Sequence, residues 1–128
     1  RSKGDAVELP REQPEHLRVL FAFGLTPAFY EADAEHVNAM IKALGTAFED
    51  LAGRFGATVL GGMDDDQLQV GPSASWPWTA YILADVPDLD AVVAICNLVR
   101  ETPVLEDRLW KYIKVEARVG RPLFFGTR

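Results

Sequence analysis

Residues 17–24 read Leu-Arg-Val-Leu-Phe-Ala-Phe-Gly. In extended chain Val19, Phe21 and Phe23 fall on one face and Leu20 and Ala22 on the other, so both faces are apolar. A strand of this kind belongs inside a sheet with something packed on each side. The rest of the chain has to supply those two covers.

Upstream, residues 1–15 mix both charge signs with Gly4, Pro10 and Pro14 and show no apolar period, which predicts a flexible N-terminal arm outside the core. Downstream, Thr26-Pro27 offers a helix start and Asp33 a second one. Val37, Met40, Ile41, Leu44, Phe48, Leu51 and Phe55 then form one stripe, which predicts a single amphipathic helix stopping at Gly56. Ala57–Met63 reads as a short strand, Asp64-Asp65-Asp66 as a polar turn, and Gln67–Val70 as a brief returning strand. After a Gly/Pro/Ser-rich run at 71–77, Trp78–Asp85 alternates as another strand with two mostly apolar faces. Asp88 caps a helix expected to reach about Arg100, with Leu89, Val92, Val93, Cys96 and Val99 buried and Thr102-Pro103 ending it. Tyr112–Val119 closes the series, with Ile113, Val115, Ala117 and Val119 against Tyr112, Lys114, Glu116 and Arg118, giving a strand with one polar face.

Strand, helix, strand, strand, helix, strand is the split β-α-β-β-α-β order of the ferredoxin-like α+β fold. The expectation is a domain over 16–119 with a four-stranded antiparallel sheet and two helices on one face. Two helices cover one face only. The apolar residues left on the other predict a homodimer packed sheet to sheet, with the C-terminal arm, 120–128, and its Leu123, Phe124 and Phe125 clasping the partner.

Composition narrows the partners. The 128 residues are 48% hydrophobic and 25% charged, ordinary values for one globular domain. The net charge of −6 works against a phosphate backbone or an anionic lipid surface, so nucleic acid is excluded as a partner class. The longest uncharged stretch, Gln67–Ala84, is broken by Pro72 and Pro77 and falls short of a membrane span. Cys96 is the single cysteine, which allows no intrachain disulfide and suits a cytoplasmic location. The chain begins at Arg1 rather than Met, which leaves open a preceding targeting segment.

Element order and dimer logic over Leu17–Val119 resemble the dimeric α+β barrel superfamily, which includes cofactor-independent monooxygenases and muconolactone isomerase-like enzymes. Within it, LFAFGLTPAFYEAD, MDDDQLQVGPSASWPWTAYILADVPDLD and LWKYIKVEARVGRP look like the small accessory proteins of bacterial indole-3-acetate degradation clusters. The resemblance implies a role near an indole or other aromatic acid, as a cofactor-independent enzyme of a catabolic pathway or as a noncatalytic binding or accessory protein.

The residues themselves offer a short set of candidates. His36, in the first turns of a helix whose N-terminus disfavours imidazolium, reads as a neutral ring able to act as general base, against a solvated surface histidine. Trp76, Trp78, Tyr81, Tyr30 and Trp110 offer flat surfaces for stacking an aromatic ligand, against filling of core and interface. A loop at 64–77 without a strand of its own would be long enough to act as a lid. Asn97 would orient a ligand carboxylate or carbonyl, against a core Asn satisfied by backbone. Glu116 and Arg118 share a strand face, to pair or to hold a ligand carboxylate. The acidic run at 64–66 lacks Cys or His at metal spacing, and Gly61-Gly62 lacks the later glycine of a nucleotide loop, so neither a metal nor another cofactor is expected. Cys96 reads as a core hydrophobe.

Overall fold

The computed structural model describes residues 16–126; the N-terminal arm expected over 1–15 lies outside them. Strand β1, Leu17–Leu25, is central. It pairs antiparallel with β3, Ala80–Val86, from Leu17 opposite Val86 to Phe23 opposite Ala80, and with β6, Ile113–Gly120, from Arg18 opposite Gly120 to Leu25 opposite Ile113. Strand β2, Thr58–Asp64, pairs with β3 at the edge, and a register shift between Val59 and Gly61 makes Leu60 the extra residue of a bulge. The order β2-β3-β1-β6, antiparallel throughout, is that of the ferredoxin-like α+β fold.

One face carries the helices. Val19 and Phe21 are fully buried on it, with Ala84 and Val86 from β3 and Ile113 from β6. Burying each such large side chain contributes about 1.5–3 kcal/mol, which makes this layer the main source of stability. The other face carries Leu20 and Ala22 of β1 beside Leu83 and Tyr81 of β3 and Arg118 and Glu116 of β6.

The helical layer differs from the two continuous helices expected. Short α1, Pro27–Glu31, precedes α2, Ala34–Ala47, and the predicted long helix then breaks before α3, Leu51–Phe55. The break lies at Asp50, whose left-handed backbone (φ 48°) lets its carboxylate accept from Gly53 N at 3.0 Å and cap α3. The second helix is likewise split, at Asn97, into α4, Leu89–Cys96, and α5, Leu98–Glu101. The caps are as the sequence indicates: Asp33 accepts from His36 N at 2.9 Å and Asp88 from Ala91 N at 2.8 Å.

Two local features depart from expectation. Gln67–Val70 form no returning strand, so residues 65–79 run as one irregular loop between β2 and β3. A small hairpin absent from the sequence reading, β4 Pro103–Val104 with β5 Asp107–Arg108, turns through Leu105 (φ 52°) and Glu106 and leads by a 3-10 turn, Leu109–Lys111, into β6.

Candidate functional site

A cavity of about 370 Å³ opens between the helix face of the sheet and helices α1 and α2. Its walls are apolar: Phe23 from β1, Phe29 from α1, Met40, Ile41 and Leu44 from α2, and Phe48 just beyond α2. Alternation on β1 aims Phe23 at the helices, and the i, i+4 spacing of Met40 and Leu44 puts both on the sheet-facing side of α2. The Phe23 and Phe48 rings, both lining the space, meet edge to face with centroids 5.1 Å apart. Where β2 ends, Asp64 stands opposite Ala80 and is the one charged residue lining the space among the described residues.

A second hollow of about 490 Å³ lies under the 65–79 loop, lined by Asp65, Leu68, Gln69, Trp76 and Trp78 among others. It shares Thr79 with the first. The loop is tied down on the open face of the sheet. Tyr81, which pairs with Ala22, donates its hydroxyl to Asp65 at 2.8 Å and accepts from Trp76 Nε1. Thr79 N donates to Phe23 O at 2.8 Å, and the Lys114 ammonium sits 5.3 Å from the centre of the Trp78 ring. Burial pushes the Tyr81 hydroxyl above its ordinary pKa, so it stays a protonated donor near neutral pH.

The candidates of the sequence reading divide accordingly. Trp76, Trp78 and Tyr81 are brought together at the loop, and of the three only Tyr81 also borders the apolar cavity. Tyr30 is well exposed and stacks edge-on against Phe29, so its neighbour, not Tyr30, lines the cavity. Trp110 lies under the Arg100 guanidinium, 5.1 Å from the ring centre. Asn97 lines neither cavity; its backbone links α4 to α5, with N–H donating to Val93 O and O accepting from Arg100 N. Glu116 and Arg118 pair with each other at 2.8 Å on the open face, across the sheet from the apolar cavity. Half-burial raises the Cys96 thiol pKa, which keeps it a thiol. The three aspartates diverge: Asp64 lines the cavity, Asp65 holds Tyr81 and Asp66 accepts from Gln67.

His36 corrects the expectation of a neutral ring. Its Nδ1 is 2.7 Å from Asp33 and its Nε2 is 3.0 Å from Glu106 in the β4–β5 turn. Hydrogen bonds to these two carboxylates raise its pKa to about 9, outweighing the helix N-terminus, so both nitrogens carry protons at neutral pH. The ring borders a separate hollow of about 290 Å³ with Glu31, Lys111 and Tyr112, not the apolar cavity. The residues that do line the apolar cavity were legible in part: Met40, Ile41, Leu44 and Phe48 belong to the α2 stripe, whereas nothing in the sequence marked Asp64 off from its two neighbours.

No protein-family model and no curated protein sequence matches the chain. Among solved structures, the methylated RPA0582 protein aligns at a TM-score of 0.55 with 19% identity, over 91% of this chain and 87% of that one. A second crystal structure of RPA0582, from Rhodopseudomonas palustris and of unknown function, aligns at 0.49 with 20% identity, over 88% and 86%. A dimeric protein of unknown function and ferredoxin-like fold from Bacteroides fragilis aligns at 0.37 with 13% identity, over 82% and 96%, too distant to carry an argument. At these identities the likeness to RPA0582 is one of fold.

Proposed function

We propose that this protein binds a small aromatic molecule in the cavity between sheet and helices, as a noncatalytic binding or accessory protein that works as a homodimer. The observation that carries this reading is a space of about 370 Å³ walled by Phe23, Phe29, Met40, Ile41, Leu44 and Phe48, with a single charged residue at its margin. Ligand sites are typically apolar hollows of roughly 300–1,000 Å³ with few polar groups, and this space holds an indole-sized ring. Binding is favoured over catalysis because His36, the candidate general base, is protonated, engaged by two carboxylates and outside the cavity. A chain with a single, half-buried cysteine suits a cytoplasmic setting.

A second copy is the proposed cover for the open face. Leu20, Ala22 and Leu83 lie there beside the Glu116–Arg118 pair, and a surface carrying both signs of charge complements itself about a two-fold axis. The binding reading is tested by titrating indole into isotopically labelled protein. Saturable shifts of the Met40, Leu44 and Ile113 methyl signals, abolished by the cavity-filling Leu44→Trp, support it; unmoved methyls overturn it.

A further inference from the structure

The chemistry of the ligand's polar end can be read from what the cavity leaves unpaired. Three side chains around it carry hydrogen-bonding groups: Thr79, Tyr81 and Asp64. The Thr79 hydroxyl is directed to Phe23 O at 3.4 Å. The Tyr81 hydroxyl is engaged by Asp65 and Trp76. The Asp64 carboxylate has no hydrogen-bond or ion-pair partner among the described residues. Among the described residues, no Lys, Arg or His lines the space. The guanidinium expected to hold a ligand carboxylate, Arg118, is paired with Glu116 on the opposite face of the sheet.

Building on the cavity reading above, we infer that the molecule it takes is an uncharged aromatic ring bearing an N–H or O–H donor directed at Asp64, and that ring carboxylates are rejected. An ionised carboxylate accepts hydrogen bonds and donates none, so a donor on the ring finds a charge-assisted partner in Asp64. A carboxylate on the same ring meets a like charge at the rim of the cavity, with no cation among the described lining residues to compensate it. Selectivity of this kind comes from the repulsive element as much as from the attractive one.

The probes are 2-naphthol and 2-naphthoate, two molecules sharing one ring system and differing in the polar group. Both are titrated by calorimetry into the full chain, wild type and Asp64→Asn, at neutral pH. Because Asp64 is exposed and unpartnered, the variant should match wild type in melting temperature, which separates a binding effect from a folding one. The expected result is 2-naphthol bound at least about tenfold more tightly than 2-naphthoate, and a ratio that contracts several-fold in Asp64→Asn as the acid gains affinity. Equal affinity for the two in wild type, or an unchanged ratio in the variant, overturns the inference while leaving the cavity reading intact. If neither probe binds, the cavity reading falls and the inference with it.

Discussion

The Nε2 of His36 lies 3.0 Å from the Glu106 carboxylate, seventy residues further along the chain, and so bolts the start of α2 to the β4–β5 turn. With Asp33 on Nδ1, the ring is held as an imidazolium whose pKa, about 9, stands above the ordinary histidine value of 6.5. A histidine whose folded pKa is raised stabilises the fold fully below its unfolded pKa and loses that contribution as pH rises through the folded value. The expected outcome is a melting temperature that falls between about pH 6.5 and 9.5, with a His36 ring titration near 9 by NMR. In Glu106→Gln the titration should move down but stay above 6.5, because Asp33 remains on Nδ1, and this part of the pH dependence should shrink in step.

Gly24 is where the loop crosses the sheet, and a methyl group there would collide with the Pro77 carbonyl oxygen and lie 2.7 Å from the Lys114 side chain. Since a backbone oxygen cannot swing aside, Gly24→Ala should lift the 77–79 segment, weakening the Thr79 N to Phe23 O bond and the Trp78–Lys114 stack. Red-shifted tryptophan fluorescence and faster proteolysis within 65–79 are the expected readouts, with β1 and β6 still protected in hydrogen exchange.

Two wall and core positions should separate stability from binding. Phe21 is fully buried against the helices, so Phe21→Ala should cost about 3–5 kcal/mol in denaturant unfolding. Ile41 lines the cavity but is 57% exposed, and Ile41→Ala should change stability by no more than about 0.5 kcal/mol while weakening indole binding.

The proposed dimer predicts a clear consequence for Leu20, which sits on the open face between Leu83 and Arg118. Leu20→Arg adds a second cation beside Arg118 and removes apolar area from the seam. Light scattering should give a dimer for wild type and a monomer for the variant, with the circular dichroism spectrum retained.

The fold was legible where side-chain periodicity reports directly on burial. The double-faced β1 takes an inner place in the sheet, the clean alternation of β6 fits a strand at its edge with one polar face, and Asp33 and Asp88 mark the helix starts they cap. Interruptions were not legible. The apolar stripe runs unbroken past Asp50, whose left-handed backbone ends the continuity of the helix, and the β4–β5 hairpin is too short to show a period. The site was half legible for the same reason. Stripes give walls such as Met40 and Leu44, but charge state and pocket polarity depend on neighbours distant in sequence. Asp33, with Glu106 from seventy residues away, reversed the expected protonation of His36, and strand pairing, rather than any motif, put Asp64 at the cavity and Arg118 across the sheet from it.

The most direct test of the central claim is a crystal structure of the protein grown with 2-naphthol. Ring density is expected between Phe23, Phe48 and Leu44, with the hydroxyl oxygen within hydrogen-bonding distance of the Asp64 carboxylate. Density confined to the hollow beneath Trp76 and Trp78, with the cavity beside α2 empty, would contradict it.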